Sequence, residues 1–185
     1  AGFATRTYVD ARGMTTRITQ PDPDGSGYLI APDTHFSYDP QGKLAWNYNP
    51  DGSTQYYYYN TAGQLTSVID ELSKTTSFQY DTLGRLTSST NRVNATTNWG
   101  YDRLSRPTSQ TDPLGNVTIT TYNGRGAVAT IAYPDPDGSG PLLSPLNSFQ
   151  YDASGNLLSE RDPLGNFQGS IPYTYDDDNR LQTVG

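Results

Sequence analysis

Cysteine is absent from the 185 residues, which excludes a disulfide framework and any thiolate metal site. Charge is sparse. Asp, Glu, Lys and Arg make up only 17% of the chain, and the 12 Lys and Arg are scattered singly. A polyanion-binding surface needs clustered cations, so with a net charge of −7 neither nucleic acid nor a heparin-like polymer is an expected partner. No apolar run approaches the ~20 residues of a membrane-spanning helix, and insertion into a membrane is not expected. The opening Ala1-Gly2-Phe3-Ala4 has no signal-peptide pattern. Apolar residues reach only 33%, low for a globular domain, so any core must be thin. Helical periodicity is nowhere sustained.

What is present is rings and turn formers. Aromatics are 12% of the chain, 15 of them Tyr, alongside 18 Gly and 13 Pro. Few charges with many rings is not the composition of a disordered segment. It is that of many short strands joined by tight turns.

Those strands repeat. Tyr38-Asp39-Pro40-Gln41-Gly42-Lys43-Leu44 returns from Tyr59, Tyr80, Tyr101 and Tyr122, each 21 residues after the last. Further copies start at Tyr151 and Tyr175, and a degenerate first copy starts at Val9, which makes eight. The second position is always Asp or Asn, whose side chain can accept from main-chain N–H groups further along a turn. The fifth is Gly in six copies and Ser105 or Asn179 in the others, as a left-handed residue requires. This predicts a type I turn followed by a left-handed residue, a common three-residue hairpin connection. Eleven residues after each Tyr a second turn signal appears, as in Asn49-Pro50-Asp51-Gly52, Asp70-Glu71-Leu72-Ser73 and Asp112-Pro113-Leu114-Gly115. Each repeat is thus strand, turn, strand, turn.

Two residues before most of these tyrosines stands another ring: Phe36, Tyr57, Phe78, Trp99, Phe149 and Tyr173. Spacing of two puts both rings on one face of a strand. With Leu44, Leu65, Leu86, Val128, Leu157 and Leu181 after the turns, each repeat is expected to bury two rings and one aliphatic. At roughly 1.5–3 kcal/mol per buried large side chain, stacked repeats would offset an ordering entropy that one repeat alone could not.

A longer period overlies the short one. Thr7–Leu44 aligns without gaps on Thr120–Leu157, an offset of 113 residues that is four repeats of 21 plus one of 29. Both segments carry Pro-Asp-Pro-Asp-Gly-Ser-Gly, within expected insert loops at 20–28 and 133–141. The whole chain, 1–185, reads as one array of about eight repeats of 21–29 residues.

The Y-D-x-x-G-R-L pattern of Tyr80–Leu86 and the half-repeat Thr111–Asn116 resemble the Rhs/YD-repeat family of bacterial Rhs proteins, toxin-complex B/C shells and teneurins. The resemblance implies an all-β fold of consecutive antiparallel hairpins in a continuous twisted sheet, either part of a hollow shell or an open β-solenoid. It implies a structural scaffold segment of a large secreted or surface bacterial protein, forming an encapsulating wall or a self-associating filament. Familiar shells use many more than eight repeats, so only part of a wall is expected. The self-cleavage sequence of toxin-bearing members has no copy here; Asp112-Pro113 and Asp162-Pro163 each sit in a half-repeat turn. The alternative is an adhesion module that binds carbohydrate or protein.

Chemistry is thinly signposted. His35 is the only histidine, no serine has the context of a nucleophile, and the chain is not expected to be an enzyme. Asp39, Asp81, Asp102, Asp152 and Asp176 invite a glycosidase reading, but a carboxylate present in repeat after repeat is explained by its turn. Gly124–Ala129 matches GxGxxA with no helix following, so a dinucleotide site is not expected. Asn94 and Asn116 head Asn-x-Thr patterns, common by chance. No cofactor is expected. Calcium is the one open possibility, at Asp22 and Asp24, with Asp33 at the twelfth position of an EF-hand-like count, and at Asp135 and Asp137. Against it stand Leu146 at the matching place and the missing flanking helices. The run Tyr56–Tyr59 puts two rings on each face. Cross-strand ring packing is the favoured reading, while exposed Tyr56 and Tyr58 could contact a glycan or a partner. Open edge strands should pair with further repeats, making self-association the expected behaviour.

Overall fold

The computed structural model describes residues 4–25, 30–138, 144–164 and 173–183. Among them every regular element is a strand. The chain forms two compact units, Ala1–Ala95 and Thr96–Gly185.

In the first unit the strands are β1 (Arg6–Val9), β2 (Thr15–Thr19), β3 (Asp33–Tyr38), β4 (Leu44–Tyr48), β5 (Thr54–Tyr59), β6 (Leu65–Ile69), β7 (Thr75–Tyr80) and β8 (Leu86–Thr90). The second unit holds β9 (Thr96–Tyr101), β10 (Pro107–Thr111), β11 (Val117–Tyr122), β12 (Val128–Ala132), β13 (Leu146–Tyr151), β14 (Leu157–Arg161), β15 (Thr174–Tyr175) and β16 (Leu181–Thr183). Within each unit pairing follows sequence order and is antiparallel throughout. A Tyr173 N–H to Leu158 carbonyl bond of 2.8 Å continues the ladder from β14 toward β15.

The turns take the expected geometry. Between β3 and β4, Asp39 N–H donates to the Lys43 carbonyl at 2.8 Å and Gly42 N–H to the Asp39 carbonyl at 3.0 Å. Gly42 has φ +84°, the left-handed conformation a Cβ would strain. The half-repeat turns are built alike, with Asp70 N–H on the Lys74 carbonyl at 2.8 Å and Ser73 N–H on the Asp70 carbonyl at 2.9 Å. Where Gly is replaced, Ser73, Asn94, Ser105 and Asn179 hold the same position at φ 58°, 63°, 62° and 60°.

Each motif tyrosine ends its strand at a bulge that the sequence did not announce. Ser37 pairs Trp46 but Tyr38 pairs Leu44, leaving Ala45 over; the register shifts again before Tyr59, Tyr80, Tyr122 and Tyr151. Where the surplus residue is Thr its hydroxyl reaches the facing strand, as Thr66 Oγ1 donates to the Tyr58 carbonyl at 3.1 Å. That is one use for the threonine of these strands.

The expected burial of two rings and one aliphatic is not reached. Phe36, Tyr38 and Leu44, and their counterparts through Leu157, are half-buried, and Leu181 is exposed. Among the described residues no apolar side chain is buried, and only Asn47 and Ser159 are. Strand contacts run between sequence neighbours, so no described strand of either unit packs over the ring-bearing face. Each ring therefore gains only part of its transfer free energy, and the ladder and the turns carry more of the load.

Candidate functional site

The tyrosine of the motif is there for its hydroxyl as well as its ring. Tyr59 donates to the Leu44 carbonyl at 3.0 Å, Tyr80 to Leu65 at 2.9 Å, Tyr122 to Pro107 at 2.7 Å and Tyr175 to Leu157 at 3.0 Å. Tyr38 reaches the Thr15 carbonyl at 2.9 Å across the longer repeat. Each acceptor is the carbonyl beside the surplus residue of the preceding hairpin, left outside the regular ladder by the bulge. The ring thus satisfies a carbonyl one hairpin away and locks neighbouring repeats in phase. Partial burial, with Asp39 nearby, raises the Tyr59 pKa.

The residue after the turn glycine makes a second link. Lys43 Nζ stands 5.7 Å from the centre of the Tyr59 ring, and the Arg106 guanidinium 4.3 Å from that of Tyr122. Lys43 also crosses the next turn so closely that a Cβ on Gly63 would lie 2.7 Å from Nζ. Gln64 Nε2 donates to the Gly84 carbonyl at 2.8 Å. Where that position holds Met14 or Ala127, the residue before the glycine takes over. Arg12 donates to the Asp39 carbonyl at 3.2 Å, and Arg125 to the Asp152 and Ala153 carbonyls at 2.9 and 2.6 Å. A long donor recurring beside the glycine was the available signal, and sequence reasoning passed over it.

The recurring aspartates are used up by the turns. Asp81 Oδ1 accepts from Leu83 and Arg85 N–H at 2.9 and 3.0 Å, while Oδ2 accepts from Arg85 Nε at 2.7 Å. Asp102 and Asp176 repeat this with Arg106 and Arg180. The main-chain N–H of the residue four on is the largest cause holding all three carboxyls below their usual value.

The other face of the first unit is different. Cross-strand partners share a face, so Tyr8, Arg17, His35, Tyr48 and Thr54 form one row across β1 to β5. Trp46, Tyr56 and Ile69 form a second row beside it. Tyr56 and Tyr58 are 42% and 48% exposed, while Tyr57 and Tyr59 face the motif side half-buried. Across the strands Tyr56 pairs with Trp46, while Tyr57, Tyr58 and Tyr59 pair with Val68, Ser67 and Leu65. The single hydroxyl proton of Tyr57 is shared between Asn47 Oδ1 at 3.1 Å and Gln55 Oε1 at 3.0 Å, and Tyr59 acts as described. His35, Trp46, Tyr48, Thr54 and Tyr56 line an open concavity of about 360 Å³. The His35 and Tyr48 rings meet edge to face at 6.2 Å. Arg17 is engaged by Asp33 and lies 5.2 Å from the Tyr8 ring centre.

Asp22 and Asp135 each accept a main-chain N–H two residues on, from Asp24 and Asp137, both at 3.2 Å. Asp33 pairs with Arg17 in β3, and Leu146 opens β13. The rest of the two insert loops, 26–29 and 139–143, lies outside the described residues, as does Gly165 of the last half-repeat turn. Among the described residues no group of three or more His, Asp or Glu is placed to hold a metal ion. Gly124–Ala129 forms the turn into β12, and Asn94 and Asn116 lie in half-repeat turns.

A family model for the RHS repeat matches residues 59–97, 101–138 and 151–185. No curated protein sequence matches. Among solved structures, two of TcdB2-TccC3, one with Cdc42 and one without the hypervariable C-terminal region, are 17% identical to the chain with TM-scores of 0.66 and 0.65. Each aligns over 96% of this chain and 11% of the other. The Photorhabdus luminescens Tc holotoxin pore, with the mutation TccC3-D651A, is 13% identical with a TM-score of 0.51 over 96% of this chain and 14% of its own. The chain thus spans between a tenth and a seventh of the proteins whose fold it shares.

Proposed function

Since the chain belongs to the RHS repeat family, we propose that it is a length of structural wall from a large secreted or surface bacterial protein, completed by further repeats that pair with its edge. The observation that carries this is the absence of a buried apolar side chain among the described residues. Such a sheet gains little by folding alone and more by being extended and covered. β1 supports the same reading: its four residues are exposed and among the described strands it pairs only with β2. An edge of this kind is a template for another strand. Leu72 and Val93, at the third position of successive half-repeat turns, are 65% and 72% exposed, apolar side chains that the isolated chain leaves in water. The recurring carboxylates are occupied by turn N–H groups, which favours a scaffold over an enzyme. The wall either encloses a cargo or extends as a filament.

Sedimentation velocity over a concentration series, with negative-stain imaging of the heaviest fraction, tests the proposal. Species should grow with concentration and extend along the strand-stacking direction. A monomer at every concentration would reject it.

A further inference from the structure

The turn between β11 and β12 departs from its neighbours at three points, and all three bear on Asn123. First, Asn123 is the only Asn of the chain that Gly follows. That glycine answers no need of the fold: Gly124 holds no left-handed φ, and a Cβ on it would meet nothing within 4 Å. Matching turns carry Ala11, Thr61, Thr82 and Ala153 there. Second, Asn123 Oδ1 accepts from the Arg125 and Ala127 N–H groups at 3.0 and 3.1 Å. Asn123 N–H donates to the Ala127 carbonyl and Gly126 N–H to the Asn123 carbonyl, so these bonds pass over the N–H of Gly124. Third, the residue four on is Ala127, which offers no side-chain acceptor. In the matching turn Asn60 Nδ2 is held by Gln64 Oε1 at 3.0 Å.

From this we infer that Asn123 is a site of spontaneous deamidation, with water as the co-reactant. The main-chain nitrogen of Gly124, crowded by no side chain of its own, bonds to Cγ of Asn123. Negative charge gathers on Oδ1, where two N–H groups already point, as in an oxyanion hole. The Cγ–Nδ2 bond then breaks, the proton of the Gly124 nitrogen departs with Nδ2 as ammonia, and a five-membered succinimide remains. Water opens that ring on either side of its nitrogen. Opening at Cγ gives aspartate; opening at the main-chain carbonyl routes the chain through Cβ and Cγ as isoaspartate. The aspartate form has its likeness in the chain, since the long period sets Asp10 and Arg12 against Asn123 and Arg125. Asp10 Oδ2 accepts from Arg12 Nε at 3.1 Å, and Arg12 still donates to the Asp39 carbonyl as Arg125 does to that of Asp152. Isoaspartate instead adds a methylene to the main chain inside the turn. The bonds of 2.8 and 3.0 Å that close the turn are then lost, and Arg125 is drawn off the Asp152 and Ala153 carbonyls. One product therefore keeps the tie between this hairpin and the next, and the other releases it.

Timed peptide mapping of the full chain in mildly alkaline buffer tests it, with isoaspartate read by enzymatic methyl transfer. Asn123 should lose its amide at least about tenfold faster than Asn60, as two donors on a developing oxyanion imply. Gly124→Ala, which copies Ala11 and Ala153, and Ala127→Gln, which copies Gln64, should each slow the loss severalfold. Both should leave the far-ultraviolet dichroism and the urea midpoint unchanged. After separation by ion exchange, the aspartate form should match or exceed the urea midpoint of the parent, and the isoaspartate form should fall below it. Loss no faster at Asn123 than at Asn60, loss in Gly124→Ala at the parent's rate, or loss seen only in urea would overturn the inference. So would an isoaspartate form as stable as the parent. No readout here depends on association, which keeps the result separate from the wall proposal.

Discussion

The Tyr80 hydroxyl donates to the Leu65 carbonyl at 2.9 Å, tying the end of β7 to the start of β6 at the point where the preceding hairpin bulges. A phenylalanine would keep the ring and forfeit the bond. Tyr80→Phe should therefore cost about 0.5–1.5 kcal/mol, the usual net worth of one such hydrogen bond, read as a lower urea midpoint. Gln79→Glu, on the exposed side of the same strand, should leave the midpoint almost unmoved. Equal loss from both would mean that the hydroxyl is idle.

Left-handed turn positions divide into those that need only a backbone and those that also need space. Gly115 has φ +88° with open space for 4 Å around the point a Cβ would occupy, whereas at Gly63, φ +82°, that atom would lie 2.7 Å from Lys43 Nζ. Gly115→Ala should cost about 1 kcal/mol for backbone strain alone. Gly63→Ala should cost more and should also displace Lys43 from Tyr59. Ser73→Gly, relieving a side chain at φ 58°, should raise the urea midpoint. A neutral Ser73→Gly would contradict the strain argument.

How much of this was readable follows from period. The 21-residue spacing, the Asx opener at Asp39 and the glycine at Gly42 announced hairpins and turn type, because local chemistry sets both. The link from Tyr80 to Leu65 was not readable, because it depends on a bulge that surfaces only when strands are put in register. Burial was over-read for a related reason: Phe36 and Tyr38 share a face, but whether a second layer covers that face is not a property of their spacing. Tyr56 and Tyr58 were visible as exposed rings. Their company with Trp46 and His35 was not, since cross-strand pairing alone brings those residues together.

Arg106 does two jobs that lysine would do less well. Its guanidinium binds Asp102 through Nε at 2.7 Å and a terminal nitrogen at 2.6 Å, and its plane stands 4.3 Å from the Tyr122 ring centre. Arg106→Lys keeps the charge but loses the fork and most of the stacking. The stacking share alone is worth roughly 0.5–1 kcal/mol. The variant should melt earlier than the parent, and Tyr122→Leu should abolish most of the difference between Arg and Lys. A double-mutant cycle that closes without coupling would remove the ring from the account.

Acid should loosen the array from its turns. Asp81, Asp102 and Asp176 have pKa values held below normal in the fold, chiefly by the main-chain N–H four residues on, so the unfolded chain binds protons more readily than the folded one. Their contribution is complete above the ordinary aspartate value of about 3.9 and drains away as pH falls through the lower folded values. Melting temperature should hold level from neutral pH down to that point and then drop. Asparagine already opens the turns at Asn60 and Asn123, where Oδ1 still accepts from the residue four on at 2.9 and 3.1 Å. Replacing Asp81, Asp102 and Asp176 together by Asn should therefore keep the turns, lose the arginine pairs, and flatten the acid limb of the melting curve. An acid limb just as steep in the triple variant would place the titrating groups elsewhere, with Asp33 beside Arg17 the first to examine.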